Sequence, residues 1–498
     1  MKKIISFLLV AIMLLSLMCA CSSNAGAADT DGAAGNNATN DTDAATEELP
    51  DLPEGVKYQD YEFNILVAGT LHYSDFDIEE NDGSYEQVNL AITERNKTIE
   101  DKYGIVISSE SHFGTSFGDG PGYKQVFLDY QANECLYDLC MVGTYDAAQL
   151  ALGLHLADLN STKYIDLDKS WWDQKANEDL EINGVQFFTT GDISFVDNIC
   201  THMIMFNKNL LTELDLTSPY TLVEQDAWDY DTFVSYVKQA SFNLDGKDEN
   251  TDLDRYGLLT WNDVIHQALH SSRQRVATIN EYGYLSLTIY NATTVKLMEE
   301  YTTLFYDKEN TYNYSMRNSQ NEYDTVRKMI FDNGQALFYT TLFTTVPKHR
   351  DSATNFGIIP YPKFTETQSD YGHYISATHS QMMCIEAIHP DLDMVSMIVE
   401  DLAYYSKKTV TPAYYDDTLI GRQVRDDESV AMLDIIFASR VFDVGIYYKI
   451  GADQTIAANL TALLTSGQNT FASRYQSFAG PSQTMIDRIN EQYDSLRD

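Results

Sequence analysis

Between residues 63 and 153 the chain alternates short apolar runs with segments of helical period, and that alternation restricts the fold more than any other feature. Phe63-Asn-Ile-Leu-Val-Ala68 reads as a strand ended by Gly69-Thr70. Ser84-Tyr-Glu-Gln87 has capping-box spacing and opens a helix that sets Val88, Ile92, Ile99 and Tyr103 on one face. Gly104 stops that helix, and Ile105-Val-Ile107 is a second strand. Residues 122–134 are helical in pattern, Tyr137-Asp-Leu-Cys-Met-Val142 is a strand, and 145–153 is helical again. This rhythm predicts a parallel sheet with helices packed on it.

The rhythm resumes at Met203-Ile-Met-Phe206, followed by Asn207-Lys208 and a helix. A second helix starts near Asp229-Tyr-Asp231 and carries Phe233, Tyr236 and Val237. Further strands are expected at residues 256–261, 285–290, 356–360 and 382–386, and helices at 292–307, 319–332 and 390–406. Residues 426–498 read as mostly helical. Two α/β lobes fit this length better than one very large sheet.

The first twenty residues have the shape of a secretory signal. Lys2 and Lys3 precede an apolar run from Ile4 to Leu15, and Leu17-Met-Cys-Ala20 leads to Cys21. The run is shorter than the roughly 20 apolar residues of a membrane span. The arrangement resembles the bacterial lipobox, with Ala20 at the cleavage position and Cys21 as the lipid acceptor. An uncleaved N-terminal anchor is the alternative, and both place the protein outside the cytoplasmic membrane. Residues 21–55 begin Cys-Ser-Ser-Asn-Ala-Gly and stay polar and small to about Pro50, a composition expected to be disordered. As a flexible tether it would reach about 30 Å.

Removing Lys2 and Lys3 with the signal takes the formal charge from −41 to −43. Anionic lipid and nucleic acid repel such a chain, so nucleic-acid binding is set aside. Beyond Cys19 and Cys21 the cysteines are Cys135, Cys140, Cys200 and Cys384. They form no dense disulfide framework, and the last three lie in apolar runs, where a thiol behaves as a small hydrophobe. The 34 tyrosines, 22 phenylalanines and 4 tryptophans supply flat faces that suit sugars or peptides as well as cores.

Several motifs point towards chemistry and fall short of it. Gly114-Thr-Ser116-Phe-Gly118 matches G-x-S-x-G, but Gly118-Asp-Gly-Pro-Gly122 cannot supply the helix that a nucleophile elbow requires, so it reads as a loop. The ten histidines, among them His202, His266 and His270, show no metal spacing and could be core or surface residues. Trp171-Trp172 is conspicuous, yet adjacent residues on a regular element cannot both face one pocket. Residues 243–254 resemble a worn calcium loop with Asn243, Asp245 and Asp254 as candidate ligands; Lys247 stands where an oxygen belongs, which favours a solvated acidic loop. Arg440 and Asp443, at i, i+3 spacing, read as an ion pair on a helix.

Taken together, the motifs resemble the family-1 extracellular solute-binding proteins, the lipoprotein receptors of sugar-importing ABC transporters in Gram-positive anaerobes. The marks are Asn89-Leu-Ala-Ile-Thr-Glu-Arg-Asn96 with Glu100-Asp-Lys-Tyr-Gly104, Tyr137-Asp-Leu139, Gly191-Asp-Ile193, Phe206-Asn-Lys208 and Trp228. Further along come Asp254-Arg-Tyr-Gly257, Gly334-Gln-Ala-Leu-Phe338, Phe356-Gly-Ile-Ile-Pro-Tyr-Pro362, Val410-Thr-Pro-Ala-Tyr414 and Ser439-Arg-Val-Phe-Asp443. Each is weak alone; their order behind a lipobox and tether is specific.

The resemblance implies an α/β fold of the type II periplasmic-binding-protein kind, two lobes around a ligand cleft crossed by hinge strands. By analogy with maltose-binding proteins, lobe I would comprise 56–188 with 376–409 and lobe II 189–375 with 410–498, the C-terminal helices included. Ligand contacts are expected at strand ends and crossings: Thr70, Thr144, Tyr145, Asp192, Trp261, Asn262, Tyr339, Thr341 and Tyr414. The implied function is capture of a carbohydrate, an oligosaccharide in the first instance, by a lipid-anchored monomer that delivers it to ABC permease subunits. No catalysis and no cofactor are expected, calcium excepted. A peptide or other small solute as ligand, an exported glycoside hydrolase and a surface adhesin are the rival readings.

Overall fold

The computed structural model describes residues 47–247, 251–316, 326, 328–349, 352, 354–424, 426–451 and 455–497. The signal segment, Cys21, most of the tether and much of the helix expected at 319–332 lie outside the described residues. Among the described residues no helix is long and apolar enough to cross a membrane.

The expected alternation between 61 and 152 forms. Strand β1 (Tyr61–Gly69) pairs in parallel with β2 (Ile105–Phe113) and β3 (Leu139–Gly143), with Phe63 opposite Ile107 and Ile65 opposite Leu139. As the strand between those two, β1 is covered on both faces, and residues 65–69 are all buried. That is why its sequence is continuously apolar. β2 is the edge, and its exposed Val106, Ser108 and Glu110 alternate with half-buried Ile107, Ser109 and Ser111. Helix α1 (Glu86–Tyr103) ends where Gly104 takes the left-handed conformation at φ 63°. Its start departs from the expected capping box. Asp82 accepts from Ser84 N–H and caps a 3₁₀ turn, Gly83–Tyr85, that precedes the helix. Helices α2 (Pro121–Ala132) and α3 (Thr144–Leu152) complete this layer.

The second sheet contains β4 (His202–Asn207), β5 (Tyr256–Thr260), β8 (Thr311–Asn313), β9 (Ala336–Leu342) and β10 (Phe356–Ile359), in the order β10-β4-β9-β5-β8. It is mixed: β5 is parallel to β8 and β9, whereas β4 runs against β9 and β10. The chain then returns to the first sheet, where β12 (Gln381–Cys384) pairs antiparallel with β3. Isolated bridges Thr201 to Ile375 and Thr189 to Met383 tie the outgoing and returning segments together.

The strand expected at 285–290 is shorter and lies in neither sheet. It forms a hairpin of β6 (Ala277–Ile279) with β7 (Leu285–Leu287), turned by Asn280 Oδ1, which accepts from Tyr282 and Tyr284 N–H. It stops early because Asn291 caps α6 (Ala292–Tyr306) through Thr294 N–H. Helices α4 (Tyr230–Ala240), α5 (Val264–Ser271), α7 (Leu392–Lys408), α8 (Asp427–Ala438), α9 (Ile456–Ser466) and α10 (Phe471–Asp494) cover the sheets. One apolar cluster lies wholly against the first sheet, and two others draw side chains from both sides of the molecule. Helix α10 belongs to such a shared region: Tyr493 packs on Phe187, and Gln492 donates to Leu152 O.

Candidate functional site: a cleft at the strand ends

Parallel strands bring their carboxyl ends to one rim, where open α/β sheets bind ligands. The first sheet places Thr70 after β1 and Thr144-Tyr145 after β3. The second places Trp261, Asn262 and Asp263 after β5. The returning segment 374–380 runs beside both; Thr144 donates its N–H to Ser380 O, and Tyr374 donates its N–H to Gln267 Oε1 of α5. Here a cavity of about 300 Å³ opens, lined by Tyr145, Phe117, Asp263, His266, Tyr374 and Ser376, and by Lys449 and Thr461 from the C-terminal region. That volume stands at the lower end of ordinary ligand pockets.

Aromatic rings and imidazoles dominate the site. The Tyr145 and Phe117 rings are 6.0 Å apart. The Trp261 ring lies 5.9 Å from His202, nearly parallel at 19°, and 6.0 Å from His379. His379 Nδ1 is 2.8 Å from Ser376 Oγ. Burial pushes His379 down to about 4 and His266 down to about 3, and it holds His202 well below the ordinary value. These imidazoles are therefore uncharged near neutrality. Burial also raises the Asp263 carboxyl.

Unsatisfied polar atoms concentrate here. Trp261 Nε1, both ring nitrogens of His202 and Nδ1 of His266 are buried without a hydrogen-bond partner among the described residues. A buried polar group left unpaired costs about 1–3 kcal/mol. Several in one place, beside flat rings, make this cleft the candidate ligand site.

Of the nine expected contacts, Tyr145 lines the cavity and Trp261 adjoins it. Asn262 follows Trp261, its Oδ1 accepting from Asn313 Nδ2 at 3.2 Å. Thr70 and Thr144 serve the rim: Thr70 Oγ1 accepts from Ser116 N–H, and Thr144 Oγ1 is 2.6 Å from Ser380 Oγ. Tyr339 and Thr341 do not follow a strand, because β9 continues to Leu342. They sit opposite Met205 and Met203 inside the sheet, buried, with Thr341 bonded to Thr345. Asp192 and Tyr414 line a different pocket, described below. The sequence did not point to the histidines or Asp263 as residues of this cleft. Asp263 directly follows Trp261-Asn262, but nothing local in the sequence gathers His202, His266 and His379.

Other motifs resolve by geometry. The Ser116 segment is a loop to Gly120, but α2 already begins at Pro121, so Gly122 is helical; Gly118 and Gly120 of the loop and Tyr123 of α2 all donate their N–H groups to Asp146. In the calcium-like segment, Asp254 accepts from Leu244, Asp245 and Thr251 N–H, Asp245 pairs with Lys247, and Asn243 accepts from Gly246 N–H. The candidate ligand oxygens thus serve the chain's own donors; 248–250 lie outside the described residues. Cys140 and Cys384 face each other across β3 and β12 as buried free thiols, Cys200 is a buried free thiol outside any strand, and Cys135 is free and half-buried.

Arg440 and Asp443 are not partners on a helix. Arg440 lies in the two-residue strand β13 (Arg440–Val441), which pairs in parallel with β11 (His373–Tyr374), and forms ion pairs with Asp173 and Asp197, whereas Asp443 accepts from His270 at 2.8 Å. Trp171 and Trp172, in turn, occupy a turn rather than a regular element, and both line one pocket.

No family model matches the chain, and no curated protein matches its sequence. Solved structures do match. An ABC substrate-binding protein of Listeria monocytogenes, Lmo0181, in complex with cycloalternan, aligns with a TM-score of 0.55 at 14% identity over 86% of this chain and 99% of its own. A cyclo/maltodextrin-binding protein complexed with maltotetraose aligns at 0.54 and 13% identity, over 88% and 98%. The GacH receptor of Streptomyces glaucescens, solved unliganded and with acarbose, aligns at 0.51 and 12%, over 85% and 99%. At such identities the likeness is one of fold, and the fold is the two-sheet α/β architecture of the solute-binding proteins.

Proposed function

We propose that this chain is an extracellular carbohydrate-binding receptor of an ABC importer, tethered by a palmitate-bearing lipid on Cys21. It takes an oligosaccharide into the cleft at the strand ends and delivers it, as a monomer, to permease subunits. The observation that carries the reading is the set of unpaired buried polar atoms on Trp261, His202 and His266 beside stacked rings. Sugar hydroxyls both donate and accept, and aromatic faces cover their C–H surfaces. The fold supports it: its neighbours were solved with cycloalternan, maltotetraose and acarbose. Lobe I holds the first sheet and lobe II the second, and closure about the crossings near 189–201 and 375–381 sequesters the sugar without covalent chemistry.

A thermal-shift screen over linear and cyclic glucans, other glycans and peptides tests this. A saturating glycan at 100 times its Kd raises stability by about 2.7 kcal/mol. Shifts with peptides and none with any glycan would replace the ligand class. Shortened glycans after incubation, lost on changing one carboxylate, would establish the hydrolase instead.

A further inference from the structure

Sharing none of the residues that line the cleft cavity, a second cavity of about 210 Å³ lies at the outgoing crossing. Its walls come from the turn at 170–173, the outgoing crossing at 191–198, the helical region containing Tyr414, Tyr415 and Phe437, and Arg440 of the short strand that follows it. We propose that this cavity is a second ligand site, for one small uncharged polyhydroxylated ring, a free monosaccharide, seated against aromatic faces and hydrogen-bonded by Asp192, Arg440 and Tyr414.

Three observations converge on that chemistry. The first is rigidity. Trp171 and Trp172 donate their indole N–H groups to Glu400 at 3.1 and 2.9 Å, so both rings are fixed and only their carbon surfaces remain to meet a ligand. Tyr415 and Phe437 form the facing pair, 5.8 Å apart at 69°. The second is unspent hydrogen-bonding capacity. Tyr414 Oη and Arg440 Nε are buried without a partner among the described residues. Asp192 engages Thr411 through Oδ1 at 2.6 Å.

The third is charge. Arg440 donates to Asp173, to Asp197 Oδ2 at 3.3 Å and to Asn198 Oδ1 at 2.6 Å. An anion would meet Asp173, Asp192 and Asp197, and a cation would meet a guanidinium already placed as their counter-ion. A neutral ligand that both donates and accepts meets neither penalty. Burial pushes the Asp192 carboxyl up to about 6, so it accepts from hydroxyls at neutral pH. The size limits the ligand to one ring, because drug-sized ligands need about 300 Å³ or more.

The walls derive from segments on either side of the outgoing crossing, so the cavity changes shape if the two sheets move relative to each other. A ring held there then alters affinity at the cleft, and cleft ligand alters affinity for the ring by the same factor.

Calorimetric titration of the full chain with D-glucose, D-galactose, D-mannose and D-xylose, alongside a glucan series, provides the test. One of the four monosaccharides is expected to bind, and Asp192→Asn and Tyr414→Phe each to weaken it at least tenfold. Trp261→Ala should leave that binding in place while weakening the glucans. Tyr415→Ala, at the partly exposed rim, repeats the test if either buried variant fails to fold. The site is overturned if no monosaccharide of the four binds the native chain, or if their binding is lost in Trp261→Ala and kept in the Asp192, Tyr414 and Tyr415 variants. Glucan binding is read separately, so failure of the cleft assignment stays distinct from failure of this one.

Discussion

Trp172 donates its indole N–H to Glu400 at 2.9 Å, and Trp171 beside it takes the other carboxylate oxygen. One side chain on α7 thereby holds two adjacent rings of a turn in fixed positions. Burial pushes the Glu400 carboxyl up to about 8, against the opposing pull of the Trp172, Asp166 and Trp171 donors. Glu400→Ala should cost about 2–5 kcal/mol, since it leaves two indole N–H groups unpaired as well as a void. Glu400→Gln keeps one acceptor and carries no charge to bury, so it should cost less and lose its disadvantage as pH rises towards 9. Urea unfolding at pH 6 and pH 9 separates the two variants.

Stability should peak in mildly acid solution. Burial raises Glu386 to about 9 and Glu400 to about 8, from an ordinary 4.5. Between pH 4.5 and those values the folded chain keeps protons that the unfolded chain has lost, so stability falls as pH rises. Burial lowers His266 and His373 to about 3 and His379 to about 4, from an ordinary 6.5. Below pH 6.5 the unfolded chain binds protons that the folded chain refuses, so these groups make stability fall as pH falls. The two slopes oppose each other between about pH 4.5 and 6.5, and the maximum Tm should lie there. A Tm still rising from pH 6.5 to 9 would contradict the burial of both glutamates.

Among the described residues, Arg440 is the one cation paired with Asp173 and Asp197. Asp197 is fully buried, and burial pushes it up to about 7 even with Arg440 beside it. Arg440→Ala should therefore cost about 3–5 kcal/mol by stranding that carboxyl. Adding Asp197→Asn to the same chain should recover part of the loss. A double variant no more stable than the single one would show that the pair does not interact.

Two glycines separate close packing from backbone conformation. A Cβ on Gly257 would stand 1.9 Å from Val237 O, because β5 and α4 touch there. Gly257→Ala should cost about 3 kcal/mol or more, since backbone rather than a flexible side chain must move. Gly246 has φ +68° with nothing within 4 Å of an added Cβ, so Gly246→Ala should cost only about 1 kcal/mol from the left-handed conformation. Comparing the two Tm values checks both contacts.

Much of the architecture was readable locally. The buried middle strand β1, the Gly104 stop, and helices α2, α3, α4, α6 and α7 follow from period and capping, which act over a few residues. The site was readable in part. Tyr145 and Trp261 were reachable because a strand end is a local event. The strand-end placement of Tyr339 and Thr341 failed because β9 runs four residues beyond Phe338, and nothing in Tyr-Thr-Thr-Leu marks an end. Asp443 and Arg440 failed because i, i+3 proximity holds only on a helix, and this stretch is a two-residue strand followed by a cap.

By itself, then, the sequence determined the alternation of strands and helices and the strong negative charge, both properties of single residues or of neighbours along the chain. Tertiary structure alone decided which edge β12 joins, that β4 runs against β9, and that His202, His266 and His379 meet around Trp261 and Tyr374. It also separated Asp192 and Tyr414 from the cleft and set them around the pocket of Trp171 and Trp172. The physical reason is range. Period and capping arise within a turn or a strand, whereas these placements follow from burying the apolar faces of distant segments against one another, and that free energy depends on the whole packing at once.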